Sequence, residues 1–225
     1  MERLKIYVAV LALATGLGAC NNTASEANND SAETHESMSA AGDTITKNAT
    51  GYSTALHQMT NDMQQMTMSG NADTDFAMMM KSHHQGAVDL SQFELTNGKD
   101  ETLKKMALKI SEEQKAEITL LETQIAHLAK APKDYDPKEK QAGFGRVMDE
   151  SMRRMMDMSK MDTSMSADHQ FVAMMIPHHQ SAVTMAEGFL KYGKNEMLLG
   201  MAKKMILSQK KEINELNNWM DQNKE

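Results

Sequence analysis

The chain has 225 residues, of which 24 are Lys or Arg and 31 are Asp or Glu, giving a formal charge of −7. No basic surplus exists to neutralise phosphates, which argues against a nucleic-acid partner. The single cysteine excludes an internal disulfide and a cysteine-built metal site, and aromatics at 4% leave the core to Leu, Ile, Val, Ala and Met.

In chain order, Arg3 and Lys5 precede an apolar run over 6–14, and small residues lead to Cys20. This order reads as a secretory leader over residues 1–19. The run is too short for a bilayer span, which needs roughly 20 apolar residues. Leu17-Gly18-Ala19-Cys20 resembles the bacterial lipobox, so Cys20 is the expected lipidation site and the membrane the expected N-terminal partner. Asn21-Asn22 rather than Asp follows it, which favours the periplasm-facing outer membrane in a Gram-negative cell. Residues 20–43 are polar and aperiodic, the composition of a tether.

Helical patterns occupy the rest. A helix is expected over 44–68, and a second follows with Asp73 or Asp75 as its cap. A third lies within 99–130, where Leu103, Met106, Ile110, Glu113, Glu117 and Leu121 recur at steps of three and four. Pro132 and Pro137 mark a connector over 131–137. Another helix is expected over 138–161, then one capped by Ser166 or Asp168, then one over 194–221. No strand alternation is present. The fold class is all-α, built from two three-helix units over 44–130 and 138–222.

The units are copies. Phe76 to Val88 returns as Phe171 to Val183 at an offset of 95, and the register holds to Glu117-Ile118 against Glu212-Ile213. Pro177 replaces Ser82 and predicts a local bend before His178. Whether the copies share a core is open at this stage.

Each copy carries an adjacent histidine pair, His83-His84 and His178-His179, preceded four residues earlier by Met79-Met80 and Met174-Met175. On a helix, residues four apart stack on one side, so each Met approaches a His. Neutral imidazole with soft, proton-free thioether points to copper, preferentially Cu(I), with Cu(II) also accepted. Met185, seven residues beyond His178, is a further candidate ligand, while Lys81 and Leu90 make the first copy the poorer site. Gln85, Gln180 and Glu187 are candidates for supporting the ligands, or else face water. Further methionines cluster at 59–68 and 148–165, although methionine on an apolar stripe is more often core filling. His57, His127 and His169 read as ordinary polar-face residues.

With both motifs and the Met-Ala and Gln-Lys-x-Glu-Ile helices that follow them, the chain resembles the DUF305 family, including its periplasmic copper-binding CopM-like members. The second copy follows the family pattern through Phe171, Met175, Ile176, His178, His179, Gln180, Ala182, Met185, Ala186 and Glu187. The first departs at Lys81-Ser82 and Leu90-Ser91-Gln92. The resemblance implies a ferritin-like or related helical bundle and a role in metal sequestration or resistance.

The function expected is therefore extracytoplasmic copper binding for sequestration, storage or delivery, not catalysis. Candidate partners are a copper chaperone or efflux component and a second copy of the chain. The alternatives are a structural or protein-interaction lipoprotein of the cell envelope and a copper-dependent oxidoreductase.

Overall fold

A computed structural model describes residues 42–157 and 164–224, and the side chains of 51–156 and 164–224. The leader, Cys20 and almost all of the proposed tether lie outside them, as do Met158 and Met161. Six helices follow in order: α1 (Gly42–Gln65), α2 (Ala72–Asn97), α3 (Glu101–His127), α4 (Gly143–Asp157), α5 (Ala167–Phe189) and α6 (Glu196–Gln222). The all-α fold with two similar three-helix halves agrees with the periodicity. Boundaries differ locally: α1 stops before Met66 and Met68, and α4 starts five residues later than expected.

The hairpins α2–α3 and α5–α6 pack through α2 against α5, with α1 and α4 laid alongside. α2 and α5 run antiparallel: the rings of Phe76 and Phe189 stack 3.9 Å apart toward one end, and those of His83 and His178 lie 3.7 Å apart at the crossing. α3 and α6 meet through Lys109–Glu212 at 2.6 Å and Asn195–Gln124 at 3.2 Å. A pseudo-two-fold axis through the crossing thus relates residue i to residue i + 95.

Two apolar clusters flank this axis, and each draws on both halves. One unites Phe76, Met79 and Met80 with Phe144, Met185 and Phe189. The other unites Leu90, Leu103 and Ile110 with Phe171, Met174 and Met175. The copies share one core, since a three-helix unit alone buries too little apolar surface. Gly86 lets α1 approach closely, because a Cβ there would sit 2.4 Å from Met59 Sδ. α5 continues through Pro177 rather than ending there, although the ring removes the donor for the Ala173 carbonyl.

The cap of α2 corrects the sequence expectation, while that of α5 is one of the two residues expected. Asn71, not Asp73 or Asp75, caps α2 by accepting from Thr74 N at 3.0 Å, and Ser166 caps α5. Asp73 crosses instead to the other half, accepting from Lys194 N at 2.8 Å and Asn195 N at 3.0 Å ahead of α6. Asp168 returns the exchange, accepting from Lys99 N at 2.9 Å and Asp100 N at 2.8 Å ahead of α3. The connector is pinned as well: Asp134 N and Tyr135 N donate to the carbonyl of Gly70, whose φ of 85° suits glycine.

Both exchanged carboxylates are nearly buried, so removing one leaves two amide donors without an acceptor. Asp73→Ala is expected to lower the unfolding free energy by about 1–3 kcal/mol, read by urea denaturation. An unchanged midpoint would mean that the exchange does not tie the halves together.

Candidate metal centre

The crossing brings all four motif histidines into one place. His83, His84, His178 and His179 each have zero exposure, and they form a single cluster on the pseudo-axis rather than two sites. The helical phase explains this. His83 and His178 face each other across α2 and α5, while their neighbours, about 100° further round, turn toward α3 and α6.

Those neighbours each meet a carboxylate. His84 Nε2 lies 2.7 Å from Glu117 Oε2. His179 Nε2 lies 2.9 Å from Glu212 Oε2, an ion-pair distance with an angle outside hydrogen-bond geometry. An ionised carboxylate only accepts, so His84 Nε2 donates, and in the neutral ring the lone pair then lies on Nδ1; the Glu212 contact favours the same tautomer of a neutral His179. His178 Nε2 donates to the carbonyl of His83 at 3.0 Å, which likewise leaves its lone pair on Nδ1. None of these three Nδ1 atoms, and neither ring nitrogen of His83, has a hydrogen-bond partner.

Buried polar atoms normally find partners, and leaving one unpaired costs about 1–3 kcal/mol. Unpaired imidazole lone pairs backed by carboxylates form the arrangement in which histidine binds metals, where the outer carboxylate fixes tautomer and ring orientation. The donor set therefore fits a copper ion. Among the described residues no three His, Cys, Asp or Glu side chains already form a common metal-binding group, so sharing one ion among three rings requires side-chain rotation.

Burial, reinforced by repulsion from the other imidazoles, holds His83 and His178 well below the usual histidine range. They are neutral near pH 7 and need lose no proton to bind a metal. Burial pushes Glu212 up, but its contacts with His179 and with the Lys109 ammonium outweigh it and bring the carboxyl down to about 2. Outside the two dyads lies a cleft of about 300 Å³ between α3 and α6, with Glu117 and Glu212 in its wall beside Gln114 and Gln209. Unpaired amide atoms of Gln114 and Gln209 are also buried.

Glu117 and Glu212 occupy the supporting role expected of other residues. Gln85 is exposed and bonds Asp89 at 2.8 Å; Gln180 is exposed; Glu187 pairs with Lys210 at 2.6 Å on the surface. These three do not support the histidines, because a helix turns them away from the crossing. The signal for the true partners was a glutamate on the core-facing side of each following helix, 33 residues after the paired histidine. Lys81, half-buried, reaches Glu122 at 3.0 Å. Met79, Met80 and Met185 are buried in one apolar cluster, and Met174 and Met175 in the other. His57 and His127 are exposed as expected, whereas His169 is buried against Trp219 and bonds Ser166 Oγ at 2.8 Å.

Fold and site together define a duplicated helical bundle with a buried imidazole–carboxylate centre on its pseudo-axis. The family described as "Domain of unknown function (DUF305)" matches residues 19–125 and again 73–220, and the chain belongs to it. Among solved structures, CopM in the apo form is 25% identical with a TM-score of 0.51, over 68% of this chain and 98% of that one. CopM in the Cu(I)-bound form is 26% identical with a TM-score of 0.50, over 70% and 98%. The Cu(II)-bound form is 27% identical with a TM-score of 0.50, over 67% and 97%. The uncharacterized protein L153 of Acanthamoeba polyphaga mimivirus is 39% identical over 57 residues; the match spans 25% of this chain and only 38% of that protein.

The buried imidazoles make stability depend on pH. The unfolded chain protonates His83 and His178 below about pH 6.5 while the folded one does not, so the unfolded state binds more protons and stability falls with pH in that range. Glu212 adds a second loss as pH drops from the ordinary 4.5 toward 2. Urea midpoints are expected to decline from about pH 7 to about pH 5, less steeply in His83→Asn with His178→Asn. A flat profile in the parent protein would contradict neutral burial.

Proposed function

We propose that this chain binds copper outside the cytoplasm, for sequestration, storage or delivery, through the imidazole cluster at the α2–α5 crossing. The observation that carries the proposal is the set of unpaired imidazole nitrogens, two of their rings backed by carboxylates. Imidazole accepts either copper oxidation state, and the methionines one turn earlier favour Cu(I). Met79, Met80, Met174, Met175 and Met185 are the thioethers of this reading, with ring rotation bringing donors together. The similarity to CopM, seen in Cu(I)- and Cu(II)-bound forms, supports copper over zinc.

The role is binding rather than catalysis, since rings with no exposure offer no surface to an organic substrate. No helix among the described residues is long and apolar enough to cross a membrane. Membrane attachment is assigned to lipid on Cys20, and export to the leader over residues 1–19. A copper chaperone or efflux component would then load or empty the protein at the membrane face.

The test is competitive copper titration of the full chain carrying Cys20→Ser, so that no thiol contributes. Replacing His84 and His179 together with Gln is expected to weaken binding at least about tenfold, and Glu117→Gln with Glu212→Gln to weaken it measurably. Circular dichroism and urea midpoints establish that the variants are folded. Parent-like affinity in folded His84→Gln, His179→Gln protein would sink the proposal.

A further inference from the structure

A second cavity lies away from the crossing, between the C-terminal end of α1 and α4. Its volume is about 240 Å³, and six methionines line it: Met63, Met66, Met68, Met79, Met148 and Met152. They come from four stretches of chain. Met63 lies in the last turn of α1, Met66 and Met68 in the segment after it, Met79 on α2, and Met148 and Met152 on one side of α4. Met63, Met79 and Met148 pack in the apolar core with Met68 and Met152 against it, and together with Met66 they leave an open volume lined by six thioethers.

The repeat keeps methionine at three of the six positions, Met158, Met161 and Met174 corresponding to Met63, Met66 and Met79, but not at the other three. At the positions related by 95 residues, Met148 and Met152 correspond to Ser53 and His57, and His57 is exposed. The cavity walls are held in place: Asp75 accepts from Ser69 N at 2.7 Å, Gly70 N at 2.9 Å and Tyr135 Oη at 2.6 Å, fixing the chain just beyond Met66 and Met68. Met66, Met68 and Met152 are half-buried, so solvent reaches the lining.

Its charged and phenolic oxygens are already engaged. Asp149 pairs with Lys140 at 3.2 Å and Arg153 at 3.1 Å, and the Tyr135 hydroxyl donates to Asp75. A hard cation finds no free carboxylate there, whereas neutral thioethers carry no proton to displace and bind soft ions. We propose that this cavity is a separate thioether site for a soft monovalent d¹⁰ cation, Cu(I) or Ag(I). Met79 lies one helical turn before His83 on α2, so the site adjoins the imidazole centre without sharing its histidines. The inference goes beyond the proposed imidazole function and stands whether or not that function holds.

The experiment uses Ag(I), which is redox-inert, added to the full chain carrying Cys20→Ser and labelled with ¹³C at the methionine methyls. It is repeated in the His84→Gln, His179→Gln background. The methyl signals of the six cavity methionines are expected to shift first, and to do so in both backgrounds. Met148→Leu with Met152→Leu, and separately Met66→Leu with Met68→Leu, conserve volume and are each expected to weaken Ag(I) binding at least about tenfold. Cavity methyls that stay in place while others shift, or parent-like affinity in either folded leucine pair, would overturn the site. Loss of the shifts only in the histidine background would assign the silver to the imidazole centre instead. Failure of the imidazole reading alone would leave these shifts intact.

Discussion

At the crossing of α2 and α5, two uncharged imidazoles meet with ring centroids 3.7 Å apart and no access to water. That contact constrains everything around it. A proton on either ring would place a charge in the core beside three other imidazoles, so the rings stay neutral and their lone pairs stay available. Beside them, the flanking dyads hold His84 and His179 through Glu117 and Glu212. The two-fold relation lets one short motif, used twice, build both sides.

The exchanged aspartates bear on the same point. Asp73 and Asp168 each leave their own half to hold the chain ahead of a helix in the other. The imidazole cluster exists only while the halves are docked, so these bonds keep together ligands that lie far apart in sequence. The apolar clusters on either side, each drawn from both copies, exclude water from the rings.

Much of this was legible in the residues. The 95-residue offset and the three-and-four spacing gave six helices in two equivalent halves, and the adjacent histidines marked the site. What the chain order hid was partnership across helices. Asp73 looks like a local cap because it sits in a first turn, and only the docked hairpins reveal its acceptor role elsewhere. Gln85, Gln180 and Glu187 looked like supports because they neighbour the histidines in sequence, but helical rotation sends them to the surface. Glu117 and Glu212 were visible as charges on an apolar side, yet their pairing depends on how α3 packs on α2 and α6 on α5. The methionine spacing in α4 was visible too, but its convergence with the chain after α1 was not.

The central claim, that copper is held by the crossing histidines, is tested most directly by pulsed electron paramagnetic resonance on the full chain with Cys20→Ser, loaded with one equivalent of Cu(II). This measurement detects the remote nitrogen of a coordinated imidazole. The account predicts modulation from at least two imidazoles, lost when His83, His84, His178 and His179 are all replaced in folded protein. A Cu(II) spectrum without imidazole modulation, or one unchanged in that fourfold variant, would contradict it.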